Sequence, residues 1–204
     1  MSTTQKEKFK KRALLLSYLT VGYNLLEGVA SIIAGTFAGS IALIGFGLDS
    51  FIESLSGGVM IWRFSQGDTM SEEEEEKMEK RASTLVAYSF FILGVYVLYE
   101  SIRKLVLAEI PEPSLFGIII ALVSLIFMPV LFIMKVKTAK ALNSSSLIAD
   151  AKETLACVFL SIALLLGLGL NYLTGLWQAD PIVGLIIVVF LIREGYEILT
   201  EKKE

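Results

Sequence analysis

Long apolar stretches alternate with short polar ones along most of the chain: residues 13–34, 41–62, 85–107, 116–134, 146–170 and 182–192, the last extending to about 199. A helix that crosses a hydrocarbon core needs ~20 mostly apolar residues, so each stretch reads as a transmembrane helix. The connections 35–40, 108–113 and 171–180 are short, whereas 65–80 is longer and carries an unbroken acidic run, Glu72 to Glu76. That segment is expected to be an acidic cytoplasmic loop. Pro111, Pro113 and Pro181 mark helix boundaries, and Pro129 should bend the fourth helix. The second helix is rich in small residues (Gly45, Gly47, Ser50, Ser54, Ser56, Gly57, Gly58), which let membrane helices approach closely. It should be the most enclosed span.

Composition agrees with this pattern. Of the 204 residues, 54% are hydrophobic, and the mean hydropathy of +0.68 is too high for an ordinary soluble domain. The first stretch is not a secretory leader, because its apolar run is too long and contains Asn24 and Glu27. Basic residues alternate between the two ends of the helices. Lys6, Lys8, Lys10, Lys11 and Arg12 precede the first; Arg63, Lys77, Lys80 and Arg81 follow the second; Lys135, Lys137 and Lys140 follow the fourth; Arg193, Lys202 and Lys203 close the chain. Only Arg103 and Lys104 stand on the opposite side. The positive-inside bias places both termini in the cytoplasm and makes the number of spans even. The expected fold is an all-α integral membrane protein, one domain over 1–204 with six transmembrane helices and no soluble C-terminal domain.

The chemistry lies in acids that interrupt the apolar stretches: Glu27, Asp49, Glu53, Asp150 and Glu153. A charge at mid-bilayer costs ~2.5–3.5 kcal/mol on insertion scales, so such residues face the protein interior and carry function by default. Asp49 and Glu53 are one helical turn apart, so both carboxylates share a face and can meet one ion. Glu153 and Cys157 share a face of the fifth helix, with Asp150 a turn nearer the cytoplasm. Lys152 interrupts that acidic pattern and could snorkel to the interface or pair with Glu27 or Asp150. On the first helix, Asn24 and Glu27 add an amide oxygen and a carboxylate. The chain has no histidine, and Cys157 is its only cysteine. A metal site is therefore restricted to carboxylate, amide, hydroxyl and at most one thiolate.

These segments resemble a known family. LDSFIES (48–54) and SLIADAKET (146–154), in a six-helix order, resemble the transmembrane domain of the cation diffusion facilitators. In that family the second helix carries an acid or histidine, three residues, then an acid, which falls on Asp49 and Glu53. The fifth carries His-x-x-x-Asp after an Ala-Asp step; here Ala149 and Asp150 keep the step, and the ligand positions become Glu153 and Cys157. The stretch WQADPIVGLIIVVFLIREGYEIL (177–199) resembles the last helix of a small bacterial branch without the cytoplasmic C-terminal domain. The resemblance implies a metal site of Asp49, Glu53, Glu153 and Cys157, a homodimer, and exchange of a divalent metal for protons.

The expectation is thus a transporter of a bacterial inner membrane that exports a divalent transition metal against protons, with no enzymatic activity, prosthetic group or nucleic-acid partner. Zinc leads through the resemblance, with Mn²⁺, Fe²⁺, Cd²⁺ and Co²⁺ as other cargoes; carboxylate-rich sites suit harder ions such as Mn²⁺. Asp150, Asn24 and Glu27 are further candidate ligands. The dimer is expected through the third and sixth helices, with Tyr88, Phe90, Phe91 and Phe190 supplying packing area. Two other readings stand beside it. One is a membrane protein that binds metal to buffer or sense it. The other is an intramembrane aspartyl protease built on GFGLD (45–49) and Asp150.

Overall fold

In the computed structural model, which describes residues 3–65 and 72–200, the apolar stretches form six helices. They are α1 (Thr3–Ala38), α2 (Ile41–Ser65), α3 (Glu72–Leu107), α4 (Leu115–Leu142), α5 (Ser145–Thr174) and α6 (Ala179–Thr200). The helices overrun their apolar cores, since polar residues continue the hydrogen-bond ladder into the membrane interface. Glu72 to Glu76 lie within α3 rather than in a loop. Residues 66–71 of the expected loop lie outside the described residues. α4 continues through Pro129 and past residue 134, so Lys135 belongs to the helix and not to the following connection.

Among the described residues, five helices, all but α6, are long and apolar enough to cross a membrane. α6 has 22 residues, and Asp180, Arg193 and Glu194 shorten its apolar run. It packs nevertheless against α3, α5 and α2. The bundle buries polar groups beside an apolar core and turns apolar side chains outward. Asn24, Ser50, Lys135, Thr154 and Ser161 are fully buried, while Leu26, Phe37, Ile92, Val106 and Leu173 are exposed. That arrangement suits lipid, which cannot satisfy polar groups but accepts any apolar side chain.

α2 packs against α1, α3, α5 and α6 and is the most enclosed of the five candidate spans. Its small residues make this possible. A β-carbon on Gly47 would sit 2.9 Å from the Gly28 carbonyl oxygen of α1, and one on Gly28 would sit 3.0 Å from the Gly47 carbonyl oxygen. The two backbones therefore cross nearly in contact, and the acids on the remaining faces of α2 are presented to other helices.

The connections at one end of the bundle are tied together. Gly39 turns the chain between α1 and α2 at φ 61°, and the Lys104 ammonium donates to its carbonyl oxygen at 2.5 Å. Asp180 of α6 caps the start of α2, accepting from the Ser40 hydroxyl and from the Ile41 N–H at 3.0 Å. Asn171 donates to the Pro111 carbonyl oxygen at 3.1 Å, and Arg103 pairs with Glu100 at 2.9 Å and Glu109 at 3.0 Å. At the opposite end, Asn143 in the left-handed conformation closes α4, and Ser144 caps α5 by accepting from the Leu147 N–H. That tight turn sets α4 antiparallel against α5.

The Gly28–Gly47 contact leaves no room for a side chain. Gly47→Val is expected to destabilise the bundle by about 1–3 kcal/mol. Gly58→Ala, where a β-carbon meets nothing within 4 Å, should leave it unchanged. Thermal unfolding of both variants in the same detergent checks the difference.

Candidate cation site

Asp49 and Glu53 lie on adjacent turns of α2 and are 6% and 3% exposed. α5 brings the half-buried Glu153 to the same region, and α6 contributes Glu194. These acids border one cleft of about 10 Å³, room for roughly one water molecule. Its apolar wall comes from α3, α5 and α6: Phe90, Ala156, Leu160, Phe190 and Leu191. Two enclosed oxygens, Glu53 Oε2 and Glu153 Oε2, have no hydrogen-bond partner. Among the described residues, no three His, Cys, Asp or Glu side chains are close enough to share one ion. The acids surround the cleft without converging on a point.

Behind Glu53 runs a buried chain of charge and hydroxyl. Thr154 Oγ1 donates to Glu53 Oε1 at 2.8 Å and accepts from Lys135 Nζ at 2.8 Å. Lys135 Nζ also pairs with Asp150 Oδ2 at 2.8 Å, with both side chains almost fully buried. Asp150, a candidate ligand from its spacing, is thus neutralised by a lysine of α4 and does not border the cleft. Lys152, the other basic residue considered as its partner, is exposed.

The α1 candidates are placed differently. Glu27 accepts from the Tyr23 hydroxyl at 2.8 Å and from Ser50 Oγ at 3.0 Å, so both carboxylate oxygens are engaged. Tyr23 is held by stacking on Phe127, with ring centroids 4.2 Å apart. Asn24 is fully buried, and neither its Oδ1 nor its Nδ2 has a hydrogen-bond partner. Cys157 is a buried free thiol packed in the apolar core, and it is not among the residues that border the cleft. The aromatic residues expected at a dimer surface divide as well. Tyr88 is exposed, Phe90 is buried in the core, and Phe91 and Phe190 are half-buried.

Two residues escaped the sequence reading. Lys135 was assigned to a connection because a charge conventionally ends an apolar stretch. Glu194 was not singled out as a candidate. The signal for Glu194 was present: Phe190, Leu191 and Glu194 fall on one face by helical spacing, and all three border the cleft.

The family model described as the cation efflux transmembrane domain matches residues 17–203. Transmembrane protein 163 of Xenopus laevis is 23% identical over 97% of this chain and 69% of its own length. The magnetosome protein MamB of Magnetospira sp. (strain QH-2) is 22% identical over 89% of this chain and 61% of its own. A cadmium, cobalt and zinc/H⁺-K⁺ antiporter of Bacillus subtilis (strain 168) is 21% identical over 97% of this chain and 64% of its own. The chain thus spans between 61% and 69% of the length of these three relatives.

The buried ion pair yields a double-mutant test. Lys135→Met strands the Asp150 carboxylate and is expected to cost about 3–5 kcal/mol of stability. Adding Asp150→Leu should recover most of that loss, because both charges are then gone. Unfolding of the single and double variants in detergent measures the coupling.

Proposed function

The chain belongs to the cation efflux family, whose members transport divalent metal cations and are not enzymes, and on that premise we propose that its carboxylate cleft carries a divalent transition metal out of the cytoplasm in exchange for protons. The observation that carries this reading is the meeting of Asp49, Glu53 and Glu153 on one interior cleft, with Glu53 Oε2 and Glu153 Oε2 unpartnered. Buried carboxylate oxygens without partners are costly unless a cation or a proton occupies them. The protease reading lapses with family membership. Its two aspartates are also separated in role, since Asp49 borders the cleft while Asp150 pairs with Lys135.

The ion is held by Asp49, Glu53 and Glu153, which must draw together around it. Once drawn together in a low dielectric, these carboxylates cannot all stay ionised without a cation. Metal arriving from the cytoplasm displaces protons, and protons arriving from the other side release the metal. In the absence of histidine, the carboxylates themselves couple the two flows and titrate as a group. Zinc leads as cargo, supported by the family and by the zinc in the name of the Bacillus subtilis relative. The acids that border the cleft offer oxygen ligands, so harder ions such as Mn²⁺ are strong competitors. Both termini lie in the cytoplasm of a cell-membrane protein on this reading, and exposed apolar faces of α3 and α6, including Tyr88, Ile92, Val95, Val189 and Tyr196, pair two copies.

Asp49→Asn and Glu53→Gln are each expected to lower metal transport in proteoliposomes at least about 10–100-fold, the loss found even for residues one shell away from a metal. Helix content and membrane insertion should be retained. Transport at the original rate in both variants would remove these residues from the site.

A further inference from the structure

Thr154 links two charged groups through one hydroxyl. Lys135 Nζ donates to Thr154 Oγ1 at 2.8 Å, leaving the single hydroxyl proton a choice between Glu53 Oε1 at 2.8 Å and the Asp150 carbonyl oxygen at 3.2 Å. The carboxylate oxygen is nearer and charged, so it takes the proton. An ammonium donating to the same hydroxyl polarises it and strengthens that second bond. Lys135 is itself fixed by Asp150 at 2.8 Å. Every member of the chain is buried: Glu53 at 3% exposure, Asp150 at 2%, Thr154 and Lys135 at 0%. The two oxygens of Glu53 are therefore unequal. Oε1 is occupied from behind, whereas Oε2 has no partner, and Glu53 borders the cleft.

We infer that the Lys135–Thr154 relay fixes Glu53 as a one-oxygen ligand, so that the cleft favours small divalent ions over larger ones that bind both oxygens of a carboxylate. The inference rests on the proposed role of the cleft as the metal site. Zn²⁺ binds few ligands, with carboxylate oxygens at about 2.0–2.2 Å. Ca²⁺ needs about 6–8 oxygens at roughly 2.3–2.6 Å and commonly takes both from one carboxylate. A two-oxygen bond to Glu53 would make Oε1 share itself between Thr154 and the ion and would turn the Thr154 proton toward the more distant Asp150 carbonyl oxygen at 3.2 Å, so the one-oxygen bond through Oε2 is the less costly. Thr154 acts only through Glu53, and both it and Lys135 are positioning residues. The relay adds discrimination by ion size to a donor set that otherwise selects only by hardness.

The test uses the purified full chain and reads binding rather than transport. Zn²⁺ is titrated by calorimetry, and Ca²⁺ is then used as competitor, for the original protein, Thr154→Val and Thr154→Ser. Valine keeps the shape and removes the hydroxyl, and Ca²⁺ is expected to compete about tenfold better against Zn²⁺, the equivalent of one hydrogen bond to a charged group. Serine restores the hydroxyl and should restore discrimination. Thermal unfolding of each variant separates this effect from loss of fold. Should Thr154→Val not fold, the paired variant Lys135→Gln/Asp150→Asn removes the ammonium without stranding a charge and should shift competition in the same direction. An unchanged competition ratio in the folded variant, or serine behaving like valine, would overturn the relay alone. Failure of the original protein to bind Zn²⁺ would overturn the metal-site reading and the relay with it.

Discussion

A carboxylate in a hydrocarbon core must face protein and find a proton, a cation or hydrogen-bond donors there. The five acids within the apolar stretches meet that constraint in two ways. Glu27 accepts from two hydroxyls, and the charge of Asp150 is balanced by the ammonium of Lys135, although its oxygens, like those at the cleft, accept no hydrogen bond. Neither borders the cleft. Asp49, Glu53 and Glu153 border the cleft instead, and Glu53 and Glu153 each keep an oxygen without a partner. The acids partnered internally brace the bundle; the others remain available for an ion.

The central position of α2 makes this division possible. Close passage of α1 at Gly28 and Gly47 leaves the other faces of α2 free to meet α3, α5 and α6. Asp49 and Glu53 are thereby shared between helices instead of being exposed to lipid. Asp180 capping the start of α2 from α6 ties the helix that carries those acids to the helix that carries Glu194. The same contacts hold the fold together and position the cleft.

Much of this was legible along the chain. The helices follow from apolar length, the enclosure of α2 from its glycines and serines, and the shared face of Asp49 and Glu53 from their spacing. A local pairing of Glu100 with Arg103 also follows from spacing, and they stand 2.9 Å apart. Long-range pairing was not legible. Nothing in the order of residues says that Lys135 looks across to Asp150 rather than out to the interface, since snorkelling and burial have the same sequence signature. Cys157 follows Glu153 by one turn, but which part of that face meets the cleft is decided by the packing of α5 against its neighbours. Glu194 stands near the end of the last apolar stretch, where sequence alone does not separate a solvent-facing charge from one turned inward.

The account depends on the cleft acids exchanging protons for metal, and a single measurement addresses that directly. Zn²⁺ or Mn²⁺ is added to the purified protein in weakly buffered detergent solution between about pH 6 and pH 8, and released protons are counted against bound metal. Because close carboxylates cannot all remain ionised in an empty site, binding should release protons, and apparent affinity should fall as the pH is lowered. Glu153→Gln should reduce both the binding and the release. Tight metal binding without proton release across that range would contradict the exchange mechanism and favour a uniporter or a passive metal-binding protein.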